Sequence, residues 1–440
     1  MTEGRSPSND YRTFRLGAFD SHGTTRAPLG GRQIEVEHGI PGETVVARRA
    51  GRGRARIVEI VDPAEDRTEP PCPYFRDWAC GGCQWQHITY EGQLRRKREM
   101  VETTMRESGL PFGVGAVRAL DDSWRYRTTA GISLGKRAGF RRHGSLAIVP
   151  IRDCPISHPL IGHLMAALND RLDVSELPDF HGRMRIDVRV AQIDGVDRLQ
   201  ALVRSTDPGA MPPANEVETL LTALADISAV AGITFLASDG RVTTVREPVF
   251  AATQVGGKPV LLTASSFFQT NIGLLEILIQ RLQAEAQTVP NARVADIYGG
   301  VGVFGLFLSD DARDVMVVES DPDAVEAGRR TARAWGVTNV HFVEGKAETH
   351  LRQTPGYDVA VLDPPRSGLS DEVLEMVRDG APHLILYISC LAQSLARDLI
   401  ELGAAGYRLD ALELFDFYPQ TYHVELLAVL RKEQTILHER

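Results

Sequence analysis

Val294-Ala-Asp296-Ile-Tyr298-Gly-Gly300-Val-Gly302-Val-Phe-Gly305 reads as a strand, a glycine turn and the start of a helix. Glycines in such a turn let a ligand approach the backbone and let the helix pack closely on the strand. Gly300, Gly302 and Gly305 match the spacing of a dinucleotide-binding turn. Glu319 ends the next apolar run about twenty residues on, where an acid can bind ribose hydroxyls. A nicotinamide dinucleotide and S-adenosylmethionine both fit this turn.

The surrounding texture sets the fold class. From about Thr263 onward, helical and strand-like segments alternate. Arg293–Tyr298, Asp314–Glu319, Asp358–Asp363 and Leu384–Ser389 read as parallel strands, and Ala411–Phe417 and Val424–Leu430 close the sheet. This predicts an α/β, Rossmann-like domain. Two features favour S-adenosylmethionine. Asp296 lies on the first strand four residues before Gly300, as is common in methyltransferases. Val361-Leu-Asp363-Pro-Pro-Arg366-Ser-Gly then ends a later strand with a carboxylate and a proline turn, which suits a planar nitrogenous ring.

Cys390 follows Leu384-Ile-Leu-Tyr-Ile-Ser, so it leaves its strand at the same carboxyl edge as Asp296, Glu319 and Asp363, where ligands of open α/β sheets bind. Glu425 opens an apolar strand after Phe417-Tyr-Pro-Gln-Thr-Tyr-His423-Val, where a carboxylate has no evident surface role. A thiol and a base beside a methyl donor suggest one reaction. Carbon 5 of uracil is too weak a nucleophile to take a methyl group directly. Thiolate addition at carbon 6 makes it enolate-like, with Cys390 as nucleophile and Glu425 as the base that removes the carbon 5 proton.

The N-terminal part has a different character. The 440 residues exceed one core, so two or three domains are expected. Residues 1–10 are polar and expected to fray. Residues 11–62 alternate short β-like runs with Gly and Pro and read as a small β-barrel. Residues 63–262 read as a linker, a helix over Tyr90–Glu107 and a central α+β domain, with strands expected at Arg125–Leu134, Leu146–Arg152, Met184–Val190 and Leu199–Val203; residues 263–440 form the Rossmann-like domain. The net charge of −9 divides unevenly: residues 1–160 carry 25 Lys+Arg against 19 Asp+Glu, and the remainder 24 against 39. Three basic clusters, Arg48/Arg49/Arg52/Arg54/Arg56, Arg95/Arg96/Lys97/Arg98 and Arg125/Arg127/Lys136/Arg137/Arg141/Arg142, point to a nucleic-acid backbone as partner. No apolar run is long enough to span a bilayer or resembles a signal peptide, so a cytoplasmic protein with no membrane association is expected.

Four of the five cysteines fall early, as Cys72-x7-Cys80-x2-Cys83-x70-Cys154. Four thiolates can hold tetrahedral zinc or an iron–sulfur cluster. His87, in the same segment, is read as structural.

Together these motifs resemble the RNA 5-methyluridine methyltransferase family, particularly its iron–sulfur type acting on large-subunit ribosomal RNA. The resemblance rests on Cys80-Gly-Gly-Cys83-x-Trp-Gln-His, Phe267-Phe-Gln269-Thr-Asn271, Asp296-Ile-Tyr298-x-Gly-x-Gly, Asp363-Pro-Pro-Arg, Ile388-Ser-Cys390 with Leu395-Ala-Arg-Asp, and Pro419-x-Thr-x-His-Val-Glu425. It implies a class I S-adenosylmethionine-dependent methyltransferase domain. It further implies donor contacts from Gln269, Tyr298, Glu319 and Asp363, a [4Fe-4S] cluster on Cys72, Cys80, Cys83 and Cys154, and a TRAM-type, OB-like RNA-binding barrel at the N-terminus. The chain departs from the family pattern in its longer Cys72–Cys80 gap, in Gly299 where a cysteine is common, and in Leu391-Ala392 after Cys390. Lys346 stands where a small polar or acidic donor contact is common, so that contact is not carried over. The expected target is 23S rRNA, with the tRNA T-loop uridine as alternative and no obligate protein partner evident. A nicotinamide-dependent oxidoreductase would explain the glycine turn but not Cys390, Glu425 or Asp363-Pro-Pro-Arg. A non-catalytic iron–sulfur RNA-binding protein is the remaining alternative.

Overall fold

The computed structural model describes residues 11–51, 53–76, 80–207, 211–350 and 356–433. The expected frayed segment, residues 1–10, and Arg52 of the first basic cluster lie outside the described residues.

The first five strands are β1 (Tyr11–Arg15), β2 (Thr25–Leu29), β3 (Arg32–Glu37), β4 (Thr44–Arg49) and β5 (Arg54–Asp62). They form one sheet in the order β1-β4-β5-β3-β2. Alternation along these strands sends Phe14, Ala27, Ile34, Val36, Val45, Ala47 and Ala55 to one small core. The opposite pleat of three adjacent strands aligns Tyr11, Arg48 and Arg56 in register.

The segment read as a linker is irregular but held in place. Asp66 is buried and accepts from Arg95 (2.7 Å) and Arg96 (2.7 Å). Arg67 pairs with the buried Glu43. After the short helix α1 (Pro73–Arg76) comes α2 (Tyr90–Glu107), bounded where the sequence placed it. Thr89 caps α2 by accepting from the Gly92 N–H at 3.2 Å.

The middle sheet contains β7 (Thr129–Leu134), β8 (Ala138–Arg141), β9 (Ile148–Pro150), β10 (Met184–Ile193), β11 (Val196–Ser205), β12 (Val230–Leu236), β13 (Val242–Arg246), β14 (Ala251–Val255) and β15 (Lys258–Leu262). Its order is β13-β12-β11-β10-β7-β8-β9, with β14 pairing both β10 and β15. Helices α3 (Pro159–Asp173) and α4 (Ala214–Ala225) cover its core.

The C-terminal elements alternate as α5 (Ile272–Ala286), β16 (Arg293–Ile297), α6 (Val303–Leu308), β17 (Asp314–Glu319), α7 (Pro322–Trp335), β18 (Val340–Glu344), α8 (Ala347–His350), β19 (Val359–Leu362), α9 (Asp371–Gly380), β20 (Leu384–Ser389), α10 (Ala392–Ala404), β21 (Tyr407–Phe415) and β22 (Glu425–Lys432). The order β18-β17-β16-β19-β20-β22-β21 is extended by β6 (Ala116–Arg118), which pairs parallel to β21. Successive β20 side chains go to opposite faces: Leu384, Leu386 and Ile388 to one core, Ile385 and Tyr387 to the other. Both faces are covered, so β20 is buried throughout. Each large side chain contributes roughly 1.5–3 kcal/mol by leaving water.

Two placements differ from the sequence reading. β18 was not anticipated, because Val340-His-Phe-Val-Glu is short and carries charge at an edge. Residues of α2 and β6, assigned to the central segment, attach to the C-terminal sheet: Val101 and Met105 enter its core, and Lys97 pairs with Asp416 at 2.5 Å with both side chains fully buried. Breaking one half of such a pair costs about 3–5 kcal/mol. The strand order reverses between β16 and β19, which opens a crevice beyond their carboxyl ends. Among the described residues, no helix is long and apolar enough to cross a membrane.

Candidate active site

The glycine turn follows β16 directly. Tyr298, Gly300 and Gly302 all take left-handed backbone, with φ of 64°, 57° and 73°. Such a conformation is uncommon in a tyrosine and marks a segment its surroundings over-determine. Gly302 starts α6, and a Cβ there would lie 2.7 Å from the Phe342 ring. Around Gly300 a Cβ would meet nothing, so this side of the turn faces open space. Glu319 braces the turn: one carboxylate oxygen accepts from the Gly300 N–H at 2.9 Å, the other from Ser320 and Asp321 N–H at 2.6 and 2.8 Å. Carboxylate oxygens have lone pairs to spare beyond these bonds.

Asp296 lies beneath the turn, fully buried, and accepts from the Gly305 N–H at 2.8 Å through Oδ2. Among the described residues its Oδ1 has no hydrogen-bond partner. Burial pushes the Asp296 carboxyl up to about 7, with Glu319 adding to the effect. The sign of the linkage follows. A carboxyl with a raised folded-state value stabilises fully below its ordinary range, and that contribution is lost as pH rises through about 7. The displacement corresponds to on the order of 4 kcal/mol between protonation states. In the ligand-free protein, Asp296→Asn is expected to flatten the fall in thermal midpoint between pH 5 and pH 8. Parallel pH curves for variant and wild type would refute this.

Asp363 leaves β19 at the crevice, and its N–H donates to Ile297 O at 3.3 Å. Burial raises its carboxyl, and Asp296 raises it further. Cys390 sits half-buried between β20 and α10. Burial raises its thiol, Glu425 and Asp363 push the same way, and a hydrogen bond and the charge of Arg366 oppose them. Glu425 is buried at the start of β22. Burial holds its carboxyl well above the carboxylate range, Asp363 adds to this, and Arg366 counters it. Arg366 also lies 3.4 Å from His423 Nδ1. Burial, with Arg366, Lys97 and Arg127, depresses the His423 imidazole to about 4. Asp363, Arg366, Cys390 and Glu425 therefore share one small volume at the crevice mouth.

Of the other residues read from sequence, Gln269 is buried with Oε1 unpartnered, just before α5. No hydrogen bond or ion pair described here connects it to that group. Phe267, two positions earlier, is 70% exposed. The Gln269 amide oxygen and Asp296 Oδ1 are groups that a polar ligand would satisfy.

The four early thiols converge. Cys72, Cys80, Cys83 and Cys154 line one cavity of about 240 Å³, together with Tyr74, Gln86 and Arg127. All are unpaired by disulfides. Burial pushes Cys80 up to about 11 and also raises Cys72 and Cys83, with Cys154 adding to each. Among the described residues, no three His, Cys, Asp or Glu side chains are grouped as ligands of a metal ion. His87 lies outside the cavity lining, fully buried and stacked on Phe75 at 5.9 Å, with burial lowering it to about 3.

The basic clusters diverge in use. The second is consumed internally: Arg95 and Arg96 hold Asp66, Lys97 is buried on Asp416, and Arg98 donates to Val114 and Gly115 carbonyls. Arg95 and Arg98 nevertheless keep 54% and 40% of their side chains exposed. In the third, Arg125 pairs with Asp153 and Arg137 with Asp173. Residues the motifs did not single out also reach the site. Arg366 appeared only as part of the Asp363 turn, and Arg127 only as a basic residue. Gln93 went unmarked, although the buried α2 face Gln93, Lys97, Val101 and Met105 repeats every four residues and places two polar side chains where apolar ones belong.

The chain is similar to known methyltransferases. The family model for tRNA (uracil-5-)-methyltransferase matches residues 356–433, and that of the methyltransferase small domain matches residues 274–385. An uncharacterized RNA methyltransferase of Gloeobacter violaceus is 30% identical over 427 residues, covering 91% of this chain and 92% of its own. One of Streptomyces avermitilis is 30% identical over 429 residues, covering 91% and 93%. The Pyrococcus abyssi tRNA (uracil-54, C5)-methyltransferase, solved with S-adenosyl-L-homocysteine, has the same fold, with a TM-score of 0.74 at 22% identity over 95% of this chain and 100% of its own. The C-terminal sheet is thus a class I methyltransferase domain. With relatives of this similarity spanning nine-tenths of its length, the chain belongs to the RNA (uracil-5-)-methyltransferase family.

Proposed function

We propose that the protein transfers the methyl group of S-adenosylmethionine to carbon 5 of a uridine in 23S rRNA, through a covalent adduct on Cys390. The observation that carries this reading is the shared volume of Cys390, Glu425, Asp363 and Arg366, where each charge acts on its neighbours. The Cys390 thiolate adds to carbon 6, and the ring electrons gather at carbon 5. Carbon 5 takes the methyl group, and the donor's sulfur keeps the bonding pair and leaves neutral. Glu425 then accepts the carbon 5 proton, the double bond re-forms, and the thiolate departs. Arg366 opposes the burial that disfavours both ionised groups. The donor's positive sulfonium would favour ionised Asp363 and Glu425 in the same way. Gln269, Tyr298, Glu319 and Asp363 are read as its contacts.

The cysteine cavity supports an iron–sulfur cluster on Cys72, Cys80, Cys83 and Cys154. The reaction moves no net electrons, so the cluster would serve as structure. The cysteine segment also favours rRNA, through its likeness to the rRNA-modifying iron–sulfur type. The family model matched at residues 356–433 bears a tRNA activity, and this favours a T-loop uridine as the second reading. Labelled S-adenosylmethionine offered separately to unmodified 23S rRNA and tRNA decides between them. Label at uridine carbon 5 in tRNA alone would overturn the first reading, and label in neither would overturn both.

Residues 11–62 are read as a TRAM-type barrel that holds RNA. Arg48 and Arg56 face each other across β4 and β5, both exposed, with the 51%-exposed Tyr11 beside them. Like charges directly opposite repel, and a phosphate between them removes the repulsion. Arg48→Ala with Arg56→Ala is expected to weaken RNA binding about tenfold or more at 0.1 M salt. The slope of log affinity against log salt should also fall by nearly 1 per phosphate lost. An unchanged slope would show that no phosphate sits there.

A further inference from the structure

The nine residues from Asp416 to Val424 join β21 to Glu425, and this segment is held by contacts from far away in sequence. Gln420 is the centre of them. It is buried and takes left-handed backbone with φ 69°. Its N–H donates to Gln93 Oε1 at 2.8 Å, and Gln93 Nε2 donates to Gln420 Oε1 at 3.0 Å, so the two residues clasp each other reciprocally. Gln93 Nε2 also reaches Trp85 O (3.1 Å) and Ile88 O (2.9 Å). Gln420 Nε2 donates to Ser123 Oγ at 3.1 Å. The Gln420 carbonyl accepts from the N–H groups of Gln84 and Trp85 at 3.1 and 3.0 Å, the two residues after Cys83. Lys97 Nζ donates to Tyr418 O at 3.0 Å, and Tyr126 OH to Pro419 O at 3.1 Å.

This density of polar contacts is unusual for a connection between two strands. A buried amide pair bonded reciprocally, and tied besides to Trp85, Ile88 and Ser123, restricts the main-chain path of the segment. Five positions beyond Gln420 lies Glu425, which must meet a proton on a bound base to within a fraction of an ångström. On the other side of the clasp lies the loop carrying Cys80 and Cys83. Arg127 lines the cysteine cavity and also acts on Tyr418 and His423, so the two sites share a wall.

We propose that Gln93 and Gln420 are positioning residues. Their clasp ties the cysteine-bearing loop to the lead-in of Glu425 and sets where that carboxyl stands relative to carbon 5. The inference rests on the reading of Cys390 as nucleophile and Glu425 as base. It makes the cysteine segment a support for the proton-removal step in particular, leaving donor binding and thiol addition unaffected.

The test separates these steps with RNA carrying 5-fluorouridine at the target. Thiol addition and methyl transfer proceed, but a base cannot remove fluorine as it removes a proton, so the covalent complex persists. Its rate of formation therefore reports every step before Glu425 acts. Gln93→Met keeps the volume of the side chain and removes its hydrogen bonds. It is expected to lower kcat on uridine RNA about 30-fold, in the range that a 1 Å misplacement produces. KM, donor affinity and the rate of complex formation with fluorinated RNA should stay within about threefold. Gln420→Asn, which tolerates left-handed backbone but has a shorter amide, should show a milder version of the same split. Retained donor affinity and thermal midpoint show that the variants are folded. Unchanged kcat, or complex formation that falls in step with kcat, overturns the positioning role. Failure of the wild-type protein to trap fluorinated RNA while still methylating uridine overturns the covalent reading and the proposal with it.

Discussion

Cys390→Ala is expected to abolish methyl transfer, with turnover lower by at least about four orders of magnitude. Carbon 5 of a neutral uracil carries little nucleophilic character, and among the described residues Cys390 supplies the thiol at the crevice mouth. His423 Nδ1 lies against the Arg366 guanidinium at 3.4 Å, and the nearby oxygen groups are poorer nucleophiles than sulfur. The side chain removed is small and half-buried, so stability should change by less than about 1 kcal/mol, and donor affinity should be retained. The pH dependence carries further information. The thiolate is the reacting form, and burial with Glu425 and Asp363 raises the Cys390 thiol. The rising limb of single-turnover rate against pH is therefore displaced toward alkaline pH relative to an exposed thiol. Arg366→Gln removes a group that opposes the displacement, so its limb should move further alkaline. Carbon 5 methylation above about 1% of wild type in folded Cys390→Ala would sink the covalent mechanism.

The parts of this molecule legible in its sequence are those set by local chemistry. The glycine turn, the buried strand before Cys390 and the helix over Tyr90–Glu107 each follow from residues adjacent in the chain, and each lies where it was read. The convergence of Asp363, Cys390 and Glu425 was legible for one further reason: strand ends in a parallel sheet share an edge, and β22 enters antiparallel so that its first residue meets that edge. Tertiary partnership was not legible. The internal partners of the cluster Arg95–Arg98 escaped notice because Asp66 and Asp416 lie about 30 and 320 residues away. The attachment of β6 to β21 escaped for the same reason, since three residues carry no period. The Gln93–Gln420 clasp spans 327 positions. Its local trace was a polar residue on the buried stripe of a helix, which reads as a blemish until its partner is seen.

Glu425→Gln is expected to give a second large effect of a different kind: an enzyme that stalls after methyl transfer. General-base assistance is worth about 10²–10⁴-fold, so turnover should fall by that factor while thiol addition continues. A covalent protein–RNA complex should then accumulate on ordinary uridine RNA and survive denaturing electrophoresis. It should be absent from the Cys390→Ala/Glu425→Gln double variant. The fold should tolerate the change. Burial and Asp363 hold the Glu425 carboxyl well above its usual range, so the native protein without ligands already carries a neutral side chain there at low pH. Glutamine copies its shape without the charge. Because the folded-state value is raised, the stabilisation from this carboxyl is complete below its unfolded range and is lost as pH climbs through the folded one. The variant lacks that loss and should be the more stable of the two under alkaline conditions. Higher stability with lower turnover is the mark of a carboxyl buried for chemistry. A variant that loses turnover without accumulating the complex would place Glu425 before methyl transfer and return the proton acceptor to the other groups at the crevice mouth, Asp363 first among them.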